Sequence, residues 1–212
     1  MRQIQKLTQR LTQRMTTQKI SSLCMAWLFT GLMLCAVATA RAQDTPKAEV
    51  SVGYSYVHSN IINPGGCCFG MHGGSGSVAY NFNDWFGLAA DFGAYHASNV
   101  KNSGLDLTVV TFLFGPRISY RKQGPFTPYA QVLLGGGHAG GSLYQPPPLA
   151  ISGPHYALAM SLGGGLDLKV HPRVAIRLFQ AEWLYTKFNN GVNDRQNSMR
   201  VTTGLVFRFG SR

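Results

Sequence analysis

The stretch Ala157-Leu158-Ala159-Met160-Ser161-Leu162-Gly163-Gly164-Gly165-Leu166-Asp167-Leu168 alternates large apolar residues with small or acidic ones. A period of two is the signature of a β-strand whose two faces meet different surroundings. Leu158, Met160, Leu162, Leu166 and Leu168 fall on one face, and Ala157, Ala159, Ser161, Gly163, Gly165 and Asp167 on the other. The charge therefore shares its face with residues too small to fill a core. A strand of a soluble barrel would turn its bulky apolar face inward and its charge to water. Here the pattern is inverted.

The same inversion recurs along the chain. Phe86, Leu88, Ala90 and Phe92 oppose Gly87, Ala89, Asp91 and Gly93; Met199, Val201, Leu205, Phe207 and Phe209 oppose Ser198, Arg200, Thr202, Gly204 and Arg208. Period-two alternation predicts strands at Ala48 to Ser59, Ser75 to Asn83, Trp85 to Ala97, Asp106 to Tyr120, Phe126 to Gly137, Pro154 to Val170, Val174 to Phe188 and Asn197 to Phe209. No stretch of this region holds a helical stripe. The fold class is all-β, an antiparallel up-and-down barrel of about eight strands.

Connection lengths place that barrel in a membrane. Asn83-Asp84, Arg121 to Pro125 and His171 to Arg173 are tight, whereas Asn60 to Gly74, Ser98 to Leu105, His138 to Gly153 and Asn189 to Gln196 are long. Transmembrane barrels of the bacterial outer membrane pair short periplasmic turns with long external loops and turn apolar residues to lipid. Two aromatic girdles are expected: Trp85, Phe86, Tyr120 and Phe126 at the turn side, and Tyr54, Tyr56, Tyr95, Tyr156, Tyr185 and Phe188 toward the loops.

Composition agrees once the N-terminus is set apart. The chain has 212 residues, 45% hydrophobic and 13% charged, with 25 glycines and a formal charge of +11. Soluble domains average about 25% charged residues. Arg2, Lys6, Arg10, Arg14 and Lys19 precede an apolar run from Leu23 to Val37 that ends in Ala38-Thr39-Ala40 and Ala40-Arg41-Ala42. This is the pattern of a secretory signal peptide over residues 1–42, cleaved near Ala42, with the barrel domain over 43–212. Met15 is an alternative start to Met1. A transmembrane anchor would need about 20 apolar residues and a stop-transfer pattern; lipoprotein processing at Cys35 would need a small residue where Leu34 stands. Removing the segment takes six of the 19 Lys and Arg and leaves 13 basic against eight acidic residues, a net charge of +5. Nucleic acid is not an expected partner. Cys67 and Cys68 remain, adjacent, in an oxidising compartment; a strained bridge between them, pairing with another molecule and free thiols are the alternatives, with an oxidised form favoured.

The last strand carries a resemblance. Thr202-Thr203-Gly204-Leu205-Val206-Phe207-Arg208-Phe209 resembles the C-terminal signal of outer-membrane barrels, polar-x-Gly-x-x-aromatic-x-aromatic, from which it departs by continuing through Gly210-Ser211-Arg212. The mature chain resembles the outer membrane protein β-barrel domain family, the small OmpA/OmpX-type barrels. That resemblance implies location in the outer membrane and an assembly signal at Gly204, Phe207 and Phe209 read by the barrel assembly machinery. It implies no single activity.

Charges expected inside are Asp91, Arg117, Asp167, Glu182 and Arg200, joined by Arg177. Counting across the tight turn at His171 to Arg173 sets Asp167 opposite Arg177, and counting across the last loop sets Glu182 diagonal to Arg200. Buried charges need partners. Arg177 and Glu182 differ in parity, so both can face inward only if the seventh strand bulges between them. An eight-stranded interior just holds its side chains, which predicts a plugged polar core; a small passive pore is the rival.

The catalytic alternative is His96-Ala97-Ser98-Asn99, which resembles the His-x-Ser-Asn of the barrel enzyme lipid A deacylase. Ser98 would be nucleophile and His96 base, with Asp106 expected opposite His96 to orient it. The match lies earlier in the chain than in that enzyme, and no Glu stands between Glu49 and Glu182. Exposed loops, one with Pro146-Pro147-Pro148, offer surface for an extracellular ligand. His58, His72, His138 and His155 have no metal-site spacing, and no cofactor is expected. The reading is an outer-membrane barrel with a structural or surface-interaction role, in contact with outer-membrane lipid.

Overall fold

The computed structural model describes residues 45–60, 68–98, 100, 106–121, 124–141, 156–188 and 195–210. The segment read as a signal peptide lies outside them. Eight antiparallel strands close into one barrel: β1 (Ala48–Asn60), β2 (Phe69–Asn81), β3 (Phe86–Ala97), β4 (Leu107–Ser119), β5 (Phe126–Gly140), β6 (Tyr156–His171), β7 (Val174–Thr186) and β8 (Gln196–Phe209). Each pairs with its neighbours in sequence, and β8 returns to β1 from Ala48↔Phe209 to Asn60↔Asn197. Closure leaves no unpaired edge, as hydrocarbon demands of a spanning sheet.

Alternation runs along the strands, interrupted on β7 by a bulge. On β4, Leu107, Val109, Thr111, Leu113, Gly115, Arg117 and Ser119 are buried while Val110, Phe112, Phe114 and Ile118 are exposed. The outer wall is a belt of large apolar side chains, the surface that lipid tails accept without cost.

Two differences from the predicted strands are instructive. β2 begins at Phe69, inside the segment read as a loop, and pairs with β1 as far as Ser59↔Phe69. Glycines punctuate sequence patterns, but here an aromatic covers one: the Tyr56 ring lies where a Cβ on Gly70 would project, a recognised way to protect a strand glycine. Tyr95 and Phe188 were expected in the loop-side girdle and are instead buried. Tyr95 shares the parity of Asp91 and Gly93, so alternation points it inward. Tyr54 and Tyr156 on the loop side, and Trp85, Tyr120 and Phe126 on the turn side, are exposed.

The expected bulge on β7 is present. Registers shift between Arg177 and Gln180 against β8, and between Leu166 and Asp167 on β6. Leu178 and Phe179 both point outward, whereas Arg177, Gln180 and Glu182 are all buried. One extra residue thus restores the inward parity of every polar group on the strand. Thr203 Oγ1 donates to the carbonyl of Arg177 at 2.9 Å and secures the irregular backbone.

Candidate functional site

The lumen has two chemically distinct halves. Midway along it, Arg200 of β8 reaches two acids. Its Nε donates to Glu182 Oε2 at 2.7 Å and its Nη2 bonds the same oxygen, while Nη1 donates to Asp91 Oδ1 and to Tyr95 Oη, each at 2.6 Å. Glu182 Oε1 accepts from Gln131 Nε2 at 2.8 Å and from Ser161 Oγ at 3.0 Å. The cluster therefore ties β8 to β3, β5, β6 and β7. Glu182 lies directly opposite Arg200 in register, one step closer than the expected diagonal.

Toward the turns, Arg177 makes a two-pronged contact with Asp167, Nε to Oδ1 at 2.9 Å and Nη2 to Oδ2 at 3.2 Å. The two residues are paired in register, opposite one another. A planar guanidinium matches a carboxylate in this fork geometry. Arg177 Nη1 also donates to Gln180 Oε1 at 2.7 Å and to Ser51 Oγ at 3.1 Å. Tyr129 of β5 donates to Gln180 Oε1 at 2.7 Å. Its ring takes the Arg117 guanidinium at 3.8 Å and that of Arg177 at 4.9 Å from the centroid. A desolvated cation over an aromatic face is attracted by the ring quadrupole, so one tyrosine separates two arginines that would otherwise repel.

Arg117 bridges to the turn end, meeting Asp167 at 3.4 Å and Glu49 at 3.5 Å. Glu49 also faces Arg121 at 3.2 Å and Arg208 at 3.3 Å. Arg121, just beyond β4, donates to Asn81 Oδ1 and to the Asp84 carbonyl. Burial draws the Arg121 guanidinium below its ordinary pKa, opposed by the Glu49 carboxylate beside it. Arg208 Nη2 reaches Thr127 on β5 at 3.4 Å.

The loop-end half is mostly apolar, with Ser59, Thr186, Gln196 and Ser198 buried at its edge. Val57, Met71, Ala97, Leu107, Val109, Leu113, Leu133, Ala139, Leu184 and Phe188 form one buried cluster with Tyr95 at its border. Gln196 latches Phe188 into it, accepting from the Phe188 N–H at 2.9 Å and donating to its carbonyl at 2.7 Å. A cavity of about 30 Å³ remains between Met71, Leu184, Phe188 and Gln196, close to the room one water needs.

Of the residues anticipated inside, Asp91, Arg117, Asp167, Arg177, Glu182 and Arg200 are all buried and bonded to one another in these clusters. Glu49, Arg121, Tyr129, Gln131 and Gln180 were not singled out, and Arg208, read on the inward face of its strand, was not counted among the interior charges. Parity carried the signal for two of them: Glu49 lies two residues from Ser51, and Arg208 eight from Arg200. Arg121 had no such signal, because it stands past the end of its strand.

The catalytic alternative does not assemble as expected. His96 pairs with Thr108, not Asp106, and its Nδ1 lies 2.9 Å from Thr108 Oγ1. The ladder reaches only Ala97↔Leu107, so Asp106 falls two positions beyond the imidazole. Counting through a loop of assumed symmetry misplaced the register by that amount. His96 and Ser98 are exposed on the loop side. Cys68 is disulfide-bonded; Cys67 and the Pro146-Pro147-Pro148 segment lie outside the described residues. Among the described residues, no group of three or more His, Cys, Asp or Glu is placed to hold a metal ion.

At the seam, Gly204 pairs with Gly53. A Cβ on Gly204 would strike the Val52 carbonyl of β1, so this position of the terminal motif admits only glycine without backbone movement. Phe207 and Phe209 project outward from the same strand.

Residues 27–209 match the outer membrane protein beta-barrel domain family. Among solved structures, Neisserial surface protein A superposes with a TM-score of 0.57 at 15% identity, covering 77% of this chain and 97% of that one. Ail, the attachment invasion locus protein of Yersinia pestis, gives 0.53 at 20%, covering 78% and 99%. OprG from Pseudomonas aeruginosa gives 0.53 at 10%, covering 80% and 99%. These likenesses show the fold. No curated protein matches the chain.

Proposed function

We propose, from the premise that the chain belongs to the outer membrane protein beta-barrel domain family, that it is a non-conducting, non-enzymatic barrel that presents its four long connections at the cell surface as an interaction platform. The observation that carries this reading is the cross-bracing of the lumen: Arg200 joins β8 to Asp91 on β3, and Arg117 joins β4 to Glu49 on β1. Side chains that meet across the interior occupy the path an ion would need. Opening that path would strand charges in a low-dielectric interior, at a cost of several kcal/mol. The family and fold leave the surface partner unspecified, and the long connections are where such partners act.

Reconstitution into planar bilayers tests the claim. Folded protein, recognised by a gel mobility that changes on heating, is expected to leave the bilayer silent; stepwise conductance from wild-type barrels would overturn the plugged reading. Incubation with lipid A is expected to release no fatty acid. Release that disappears in Ser98→Ala would establish the enzyme instead. Deleting Phe207 and Phe209 is expected to impair assembly in cells, in keeping with a C-terminal signal read by the barrel assembly machinery.

A further inference from the structure

The outer wall of β1 to β4 differs from the rest of the belt. Three successive rows of register partners cross it. The lowest is Val52, Gly76, Phe92, Phe112; the next is Tyr54, Gly74, Ala94, Val110; the highest, nearest the loops, is Tyr56, His72, His96, Thr108. In the lower rows a trough of about 540 Å³ opens over Gly74 and Gly76, walled by Phe92, Phe112, Val52 and Val110.

Backbone packing does not account for these two glycines. A Cβ on Gly74 would come no nearer than 3.6 Å to the Gly53 carbonyl, and one on Gly76 no nearer than 3.4 Å to that of Ser51, both ordinary contacts. Gly73, Gly115, Gly135 and Gly163 differ, since a Cβ there would collide with backbone of the adjacent strand. Glycine inside a strand weakens it and marks places where another group approaches closely. On an outward wall, that leaves the space itself as the feature.

Polar groups sit directly above the space. Tyr54 Oη lies 2.5 Å from His72 Nδ1, and Thr108 Oγ1 2.9 Å from His96 Nδ1. His72 and His96 are register partners on adjacent strands, with side chains about 5 Å apart at Cβ for directly opposed residues. Each ring is anchored on its far side, toward β1 for His72 and toward β4 for His96. In each ring Nε2 stands at the end away from the backbone, so with Nδ1 engaged it is the nitrogen that meets whatever lies against the outer wall. In the tautomer whose Nδ1 accepts from the hydroxyl, Nε2 carries the hydrogen and is a donor.

We propose that this face holds one phosphorylated, acylated lipid of the outer leaflet, an acyl chain lying in the Gly74–Gly76 trough and a phosphate oxygen accepting from Nε2 of His72 and His96. The proposal rests on the orientation argued above, with the loops outside. Its occupant follows from continuity: the trough is part of the apolar belt whose neighbour is the bilayer, and donors appear at the loop end of that belt, the level of lipid headgroups. A second copy of the chain fits worse, because a two-fold contact would set trough against trough and fill neither.

Native mass spectrometry of the full folded barrel, released from detergent micelles and titrated with lipid A, tests this. One lipid A is expected to remain bound, in preference to dephosphorylated lipid A. Gly74→Val with Gly76→Val is expected to weaken retention of both lipids by about tenfold or more. His72→Ala with His96→Ala is expected to reduce lipid A to the level of the dephosphorylated form, and His138→Ala on β5 to change nothing. Heat-dependent gel mobility verifies folding, and the milder Gly74→Ala with Gly76→Ala, which the spacing tolerates, serves if the valines do not fold. Folded glycine variants that retain lipid A like the wild type would overturn the trough; equal retention of both lipids, or displacement by inorganic phosphate alone, would overturn the paired site. Protease access to the loops on intact cells tests orientation separately.

Discussion

The turn-end half of the lumen and its loop-end half are lined by the same eight strands yet are held by different forces. From the turns up to mid-barrel, Glu49, Asp91, Asp167 and Glu182 meet Arg117, Arg121, Arg177, Arg200 and Arg208 in directional contacts, most of them cross-strand. Near the loops, Val57, Leu107, Leu133 and Leu184 belong to one buried apolar cluster. Short turns join the strands of the first half, which holds the side chains there at a fixed spacing. The second half borders long connections, and apolar packing there requires no fixed bond geometry. The contrast teaches that one barrel can carry a specified polar brace and an adaptable apolar cap in series.

The sharpest way to break the contrast is Arg200→Ala. It leaves Glu182 and Asp91 buried without their common cation, and breaking a buried pair costs about 3–5 kcal/mol. Urea unfolding in detergent micelles should show that loss; a change below about 1 kcal/mol would mean that water replaces the arginine freely. Leu184→Ala in the apolar half is expected to cost about 2–3 kcal/mol, the lower part of the range for such truncations, because Leu184 already borders a cavity and has fewer contacts to lose.

Two smaller effects sharpen the polar half. Tyr129→Phe keeps the ring between Arg117 and Arg177 and removes only the bond to Gln180, which still accepts from Arg177. A loss of about 1 kcal/mol is expected, whereas Tyr129→Leu should lose more by removing the cation–π contacts. Deleting Leu178 removes the extra residue of the bulge while leaving Arg177, Phe179 and Gln180 in regular alternation. The barrel should still fold and keep its heat-dependent gel mobility; failure to fold would show that the bulge bends the wall as well as correcting parity.

Much of the barrel was legible in Ala157 to Leu168 and Asn197 to Phe209, because a strand with one face toward lipid must alternate and the chemistry of that alternation names its two sides. The bulge was legible too: Arg177 and Glu182 are both too costly to turn toward lipid, and only an extra residue reconciles them. The start of β2 was not legible, since Met71-His72-Gly73-Gly74 has a loop's composition and is kept in the sheet by pairing with β1. Nor was the inward aim of Tyr95 apparent while aromatics near strand ends were assigned to girdles by type.

What the sequence determined by itself is therefore the period, the inverted faces and the residues that must be hidden together, since each follows from the solvation of single side chains. Tertiary structure decided who meets whom. Register across an unpaired loop cannot be counted from the chain: the His96 partner is Thr108, and Arg200 finds Asp91 three strands away only when β8 closes on β1. The trough beneath His72 and His96 belongs to the same class. Gly74 and Gly76 become a feature only when Val52, Phe92 and Phe112 from three other strands stand around them.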